Sequence, residues 1–325
     1  MISRKSIDEV LERTRIEEVV QDFVTLRRRG SNLIGLCPFH HEKTPSFSVS
    51  PTRNIYKCFG CGKGGDSVKF VMEHEGYDFG EAIRYLANKY GIQLEETKAD
   101  AESIQAEKER ESIYKVLDFA WAFFKRQLSE TEEGQINGLT YFRERGFRPK
   151  TIEAFGLGYA PDKPDGLVSE ALKSGFTKEQ LQKAGLMTQG GTDFFRHRVM
   201  FPIFNISGKV IAFAGRQIRS DKKSPKYINS PETEIYNKRK VVYGLAQAKK
   251  AIRDADNCFL VEGYTDVISL SQAGIENVVA SSGTALTPDQ IRLIRRYASR
   301  ITVLYDSDPA GIKAAMRGLD LILEE

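Results

Sequence analysis

Apolar and polar positions change their spacing several times along the chain, and each change predicts a different kind of element. Ser6 with Glu9 makes an S-x-x-E box in front of Ile7, Val10 and Leu11, whose spacing predicts a helix with those three side chains inward. Between residues 30 and 65 helical periodicity gives way to short β-type pieces, 46–50 and 54–57, broken by glycine and proline. Asp66 then reads as the cap of a helix carrying Val68, Val71 and Met72. The next helix has Ala82, Ile83, Leu86 and Tyr90 on one face and ends at Gly91. A first module closes near residue 95 on this reading.

Residues 95–111 are charged and weakly periodic, as a solvated linker or the exposed start of a helix would be. Helical spacing returns from Ser112 with Val116, Leu117, Ala120, Phe123 and Phe124. It passes to strand-like runs at 199–204 and 210–214 about a turn at 205–208. From about Ala255 the pattern alternates: strand 258–261, helix 267–273, strand 278–280, helix 288–297, strand 301–305. That alternation predicts a parallel sheet with crossover helices. The expected architecture is multidomain α+β: a small module (1–95), a charged linker (96–111), a mixed α/β core (112–250) and an incomplete α/β domain (256–325).

Length and composition agree with this division. At 325 residues the chain exceeds one ordinary core, and 41% hydrophobic with 10% aromatic content suits folded domains. Long apolar runs and an export signal are not evident, so a cytoplasmic protein without a membrane role is expected. The net charge of +4 matters less than where it lies. Residues 23–65 carry seven Lys/Arg against one acid, Glu42, and residues 196–250 carry thirteen against three. Two basic blocks predict two polyanion surfaces, although solvated faces would read the same way.

The first basic block contains candidate metal chemistry. Cys37-Pro-Phe-His40 and Cys58-Phe-Gly-Cys61 are two x2-spaced knuckles separated by seventeen residues. Each spacing lets one tight turn offer two ligands, and the intervening residues can fold as a hairpin that brings both to one ion. Cys37, His40, Cys58 and Cys61 predict one closed, structural Zn2+ site, with His41 facing solvent. The fourth cysteine, Cys258, lies in an apolar strand and reads as core. Phe39, Phe47, Tyr56 and Phe59 interleave with Lys43, Arg53, Lys57 and Lys63, a combination suited to single-stranded nucleic acid once some aromatics are spent on the core. Gly62-Lys63-Gly64-Gly65 lacks the G-x4-G-K-[ST] pattern, so no helicase-type ATPase is encoded.

The second candidate cluster is acidic. Glu262 follows one predicted strand, and Asp306-Ser307-Asp308 follows another. Carboxyl ends of strands in such sheets are where ligands gather, and three carboxylates brought there would repel unless a hard divalent cation neutralised them, for which oxygen ligands favour Mg2+. A helix after Asp308 would aim its N-terminus at phosphate, and an alternative reading makes these acids helix caps. Between the clusters lie Arg196, Arg198, Arg216, Arg219, Lys222, Lys223, Lys226, Lys238, Arg239 and Lys240, cations for a template and a triphosphate.

Taken in order, these residues resemble bacterial DnaG-type primases across essentially the whole chain. Cys37 to Phe47 and Cys58 to Asp66 resemble the family's zinc-ribbon signature. Arg198-Val-Met-Phe-Pro-Ile203, Gly215-Arg216 and Lys226 to Thr233, with Lys238 and Tyr243-Gly-Leu, resemble its polymerase core. Val261-Glu-Gly-Tyr-Thr-Asp266 and Asp306-Ser-Asp308 resemble the two toprim signatures. The resemblance implies a nucleotidyltransferase that makes short RNA primers on single-stranded DNA from ribonucleoside triphosphates. Glu262, Asp306 and Asp308 match the catalytic, Mg-binding acids, and two-metal attack of a primer 3′-hydroxyl on an α-phosphate is expected. Arg145, Arg216, Lys226, Asn229 and Lys238 match the basic-groove and nucleotide-contacting positions. Ser307 and Pro309 depart from the family's usual pattern. Also implied are a monomer, a chain cut within the toprim fold, and a replicative helicase partner reached through an absent C-terminal domain. Two rivals share the motifs. A type IA topoisomerase would need a nucleophilic tyrosine domain after toprim, and a zinc/toprim recombination mediator would bind nucleic acid without the three acids.

Overall fold

The computed structural model describes residues 2–95, 101–218, 224–281 and 285–325. Arg219, Lys222 and Lys223 of the second basic block lie outside the described residues. The chain divides into two compact units, residues 1–105 with 250–257 and 295–300, and residues 106–249, 258–294 and 301–325.

In the first unit, α1 (Arg4–Arg13) begins one turn earlier than the S-x-x-E box suggests. Its cap is Ser3, whose side chain accepts the N–H of Ser6, so Ser6 lies inside the first turn. The shift rotates the apolar face: Val10 is buried, Ile7 is half-buried and Leu11 is exposed. Helix α2 (Ile16–Gln21) follows. The chain then forms an antiparallel meander of β1 (Arg27–Arg29), β2 (Asn32–Gly35), β3 (Phe47–Ser50), β4 (Ile55–Cys58) and β5 (Gly64–Gly65), in sheet order β1-β2-β3-β4-β5. Period-two alternation sorts its faces. Phe47, Val49, Tyr56 and Cys58 point into the core, while Ser48, Ser50, Ile55 and Lys57 point out. Helix α3 (Ser67–Glu75) starts at Asp66, whose carboxylate accepts the N–H of Lys69 as the sequence predicts. Helix α4 (Phe79–Lys89) has the buried face Ala82, Ile83 and Leu86, and Gly91 follows it at φ +63°. The N–H of Ser3 donates to the carbonyl of Glu95 at 2.8 Å, which ties the start of this unit to residue 95.

Helix α5 (Ala101–Glu130) begins in the last residues of the 1–105 segment and supplies the first residues of the second unit, so the charged stretch is helical from residue 101. Its C-terminal two-thirds buries Val116, Leu117, Ala120, Phe123 and Phe124. A π-helical turn (Gly134–Leu139), α6 (Thr140–Glu144), α7 (Pro149–Ala154), α8 (Gly166–Lys173) and α9 (Lys178–Lys183) surround a sheet of β6 (Gly158–Ala160), β7 (Arg198–Phe204), β8 (Val210–Gln217) and β9 (Tyr227–Asn229), antiparallel in that order. Val199, Phe201 and Ile203 face one core and Met200 and Phe213 face another, so β7 is buried on both sides. That is why its sequence is a continuous apolar run rather than an alternating one.

Helix α10 (Leu245–Ala255) leads into β10 (Asn257–Val261), α11 (Tyr264–Gln272), β11 (Val278–Ala280), α12 (Pro288–Arg295), β12 (Arg300–Val303) and α13 (Pro309–Glu324). The sheet order is β11-β10-β12, with β10 and β11 parallel, as the βα alternation predicts. The fold is mixed α+β.

Candidate functional site

The two knuckles converge on one point. The N–H of Phe39 donates to Cys37 Sγ and that of Cys61 to Cys58 Sγ, each at 3.4 Å, which is how each turn presents its sulfur. One ligand atom from each of Cys37, His40, Cys58 and Cys61 lies within 4.8 Å of the others. Cys37 Sγ is 3.8 Å from Cys61 Sγ, and Cys58 Sγ is 3.8 Å from His40 Nδ1. Zn–S bonds of about 2.3 Å in a tetrahedron set S···S edges of roughly 3.8 Å, so the spacing fits zinc. Burial pushes the Cys37 thiol up, whereas hydrogen bonds from Ser46 and the Cys61 N–H hold Cys58 low against its own desolvation. His41 is exposed and outside the group. Cys258 is buried in β10, with its thiol pushed up to about 12 by burial.

The aromatic residues around the knuckles divide unevenly. Phe39, Phe47 and Tyr56 are core, and Tyr56 stacks on Phe47 with ring centres 5.3 Å apart. Only Phe59 among the four is outside, at 77% exposure. Lys63 is also turned inward: its Nζ lies 4.7 Å from the Phe39 ring centre and 3.7 Å from Glu73. Lys57 projects outward yet donates to the carbonyl of Gly62 at 2.6 Å, while Lys43 and Arg53 are exposed. Register adds what spacing did not show. Arg27 pairs with Ile34, Ile34 with Ser48, Ser48 with Lys57, and Lys57 with Gly64, a row across all five strands. Arg27 and Arg29 thus share the outer face with Lys57.

In the second unit Glu262 follows β10 and Asp306 follows β12 closely. The N–H of Asp306 donates to Glu262 Oε1 at 3.1 Å, so the backbone after one strand holds the carboxylate after the other. Gly311 allows this approach, because a Cβ there would lie 2.2 Å from the Asp306 carbonyl oxygen and 3.0 Å from Glu262 Oε1. Asp308 is the N-cap of α13, accepting the Gly311 N–H at 2.7 Å, and Pro309 occupies the first helical turn where its missing N–H costs nothing. The cap alternative therefore describes Asp308 but not Glu262 or Asp306. Asp266, the last residue of the Val261–Asp266 stretch, accepts the Gly263 N–H at 3.0 Å in the cap of α11. Desolvation raises its carboxyl pKa and the Asp306 charge adds to the rise, although the side chain as a whole is solvent-exposed. Among the described residues the group whose ligand atoms all lie within 4.8 Å of one another is Cys37, His40, Cys58 and Cys61; Glu262, Asp306 and Asp308 are not gathered to that degree, and carboxylate donors of like charge favour a hard divalent cation such as Mg2+.

The cations are not equivalent. Arg198 is 5% exposed, and its guanidinium donates to the carbonyls of Gly215 and Pro225 at 3.1 Å and to Ser224 Oγ at 2.6 Å. It clamps the segment before β9 and is not a polyanion contact, contrary to its place in the basic run. Arg196 pairs with Asp162 at 3.2 Å. Arg216 lies over two rings, Tyr141 at 5.0 Å and Tyr227 at 5.4 Å, and Arg145 also lies over Tyr141, at 5.5 Å. Lys226, Lys238 and Arg239 are exposed. Lys238 and Arg239 line a recess of about 690 Å³ together with Thr287 and Arg292.

Three side chains from the C-terminal α/β part hold these segments. Gln272 accepts from the Arg148 N–H at 2.8 Å and donates to the Gly146 carbonyl at 2.8 Å, fixing the turn after Arg145. The Tyr264 hydroxyl donates to Asn229 Oδ1 at 2.9 Å. Gln290, fully buried, donates to the carbonyls of Lys238 at 3.2 Å and Val241 at 2.8 Å. None of these three contacts is legible from sequence, because each spans dozens of residues.

Three family models match the chain in succession. Residues 2–102 match a zinc ribbon family described as CHC2 zinc finger. Residues 123–249 match the N-terminal domain of the DNA primase catalytic core, and residues 259–325 a Toprim-like family. The DNA primase of Clostridium acetobutylicum is 44% identical over 327 residues, which cover 100% of this chain and 54% of that protein. The chain thus spans about half the length of the curated relatives it matches. The crystal structure of the zinc-binding and RNA polymerase domains of Aquifex aeolicus primase has a TM-score of 0.61 at 39% identity, covering 98% of this chain and 76% of that one. A DnaG primase catalytic domain bound to single-stranded DNA matches 66% of this chain and 67% of its own length, with a TM-score of 0.60 at 35% identity. With zinc ribbon, catalytic core and Toprim-like parts matched in that order, the chain belongs to the DnaG-type DNA primase family.

Proposed function

We propose that this chain carries template-binding and primer-synthesising machinery: it directs synthesis of short RNA on single-stranded DNA from ribonucleoside triphosphates. The observation that carries the reading is the joining of Glu262 to Asp306 through the Asp306 N–H, with Asp308 capping the helix that follows. Glu262, Asp306 and Asp308 would hold Mg2+ or Mn2+, which neutralises charge on the reacting phosphates when bound. The chain's own part is to hold everything else. Arg145 and Arg216, aligned by Tyr141, and Lys226, Asn229 and Lys238 would bind the triphosphate and template backbone.

Cys37, His40, Cys58 and Cys61 would hold one structural Zn2+ that keeps the five-stranded sheet folded. The outer face of that sheet is the second polyanion surface. Arg27, Arg29 and Lys57, with Arg53 and Lys43 near its ends, would meet phosphates, and exposed Phe59 would stack on a base. Lys63 contributes less, being engaged with Phe39 and Glu73. A cytoplasmic location, a monomeric state and a helicase partner accompany this reading through family resemblance; among the described residues no helix is long and apolar enough to cross a membrane.

The test separates acids from bases in an active primer-synthesising form. Asp306→Ala should nearly abolish dinucleotide synthesis without lowering affinity for single-stranded DNA. Lys226→Ala should weaken nucleotide or template binding and reduce the salt slope by up to about one for each phosphate that the lysine neutralises. Full synthesis by Asp306→Ala with Mg2+ would overturn the catalytic assignment and leave a nucleic-acid-binding module.

A further inference from the structure

We infer that Glu42 is the positioning residue of the zinc centre, orienting His40 through Nε2 while bracing both knuckles. The inference rests on the zinc reading above.

Glu42 is the only acid between residues 23 and 65, and its surroundings explain its presence in a cationic stretch. Its Oε2 lies 3.2 Å from His40 Nε2, while His40 Nδ1 is the ring nitrogen that faces Cys58 Sγ. A metal-bound imidazole that donates its remote N–H to a carboxylate is fixed in tautomer and ring orientation and is a more basic ligand. The same carboxylate reaches the other ligands. Its Oε1 accepts the Cys37 N–H at 2.8 Å and the Ser46 N–H at 2.9 Å. Ser46 Oγ bonds Oε2 and also lies 3.2 Å from Cys58 Sγ. One side chain therefore contacts His40 directly, Cys37 through its backbone and Cys58 through a serine. Gly60 of the second knuckle leaves room for this arrangement: a Cβ there would sit 2.7 Å from His40 Nε2 and 2.8 Å from Ser46 Oγ.

A purely scaffolding role can be separated from an orienting one, because glutamine keeps half of the bonds. In Glu42→Gln the amide oxygen can still accept from Cys37 and Ser46, but its NH2 would oppose the His40 N–H donor to donor. Zinc transfer to a chromophoric chelator should show affinity weakened by about 10–100-fold, and the His40 Nε2 proton should lose its protection from exchange in 15N-edited NMR. Replacing the imidazole decides the route. In a His40→Cys background, which keeps a four-ligand site, Glu42→Gln should no longer weaken zinc binding. A Glu42→Gln protein that holds zinc as tightly as wild type, or a weakening of equal size in the His40→Cys background, would overturn the inference. Wild-type protein that binds no zinc would instead remove the zinc reading on which it rests.

Discussion

Tyr264 donates its hydroxyl to Asn229 Oδ1 at 2.9 Å, which links the residue two places after Glu262 to the strand that follows Lys226. The ring itself is held by stacking on Phe201 and an edge contact with Tyr243. Tyr264→Phe should keep that packing and remove the bond to Asn229. One hydrogen bond is worth about 0.5–1.5 kcal/mol, so the nucleotide KM should rise by up to about tenfold, with kcat changing less. A selective loss of kcat would contradict a positioning role for this hydroxyl.

Arg198→Met should cost roughly 1.5–3 kcal/mol per charged hydrogen bond left unmade, read as a lower urea midpoint. The salt slope for DNA binding should not move, because the guanidinium is spent on Gly215, Pro225 and Ser224. Arg27→Ala on the outer ribbon face should do the reverse, leaving stability nearly unchanged and lowering the slope by about one. Matching salt slopes for the two variants would refute this division.

Removal of zinc should unfold residues 30–65, because Cys37 and Cys58 belong to the same core cluster as Phe47, Val49 and Tyr56. Elemental analysis should find one Zn2+ per chain, and chelation should abolish the near-ultraviolet circular dichroism from the stacked Phe47–Tyr56 pair. Retention of that signal in metal-free protein would show that the ribbon folds without its ion.

Asp193 accepts the N–H groups of Leu167 at 2.8 Å and Val168 at 2.9 Å, capping α8 from a distance. Burial raises its carboxyl pKa, although the two N–H bonds pull it down. An acid with a higher pKa folded than unfolded binds its proton more tightly in the fold. Stability should therefore fall as pH rises from the ordinary aspartate range through the raised value. Wild type minus Asp193→Asn, compared across that window, should show this decline; a difference that grows with pH would reverse the assigned sign.

The zinc knuckles and the βα alternation are legible because both are local: ligand spacing and apolar period are written within a few residues. Strands of three residues such as β6 and β9 are too short to show a period, and their existence depends on β7 and β8 beside them. The first helix starts one turn early because Ser3 and Ser6 both suit a cap, and the bond from Ser3 to Glu95 that favours the earlier one spans most of the module. Arg198 departs from its expected role for a physical reason as well. A run of cations suggests a surface, and only burial shows that one of them is feeding backbone carbonyls. Asp193, Gln272 and Gln290 belong to the same class, polar residues whose partners are remote.

The arginines of β1 have a consequence beyond any ligand. β1 is the outermost strand of the ribbon sheet on one side, and its three residues are Arg27, Arg28 and Arg29, all exposed. An open strand edge is a template for another chain, and two copies approaching edge to edge here would crowd both sets of guanidinium groups. The charge opposes growth of the sheet into a second molecule, and raised ionic strength, which screens that repulsion, is the condition under which self-association through this edge would be favoured.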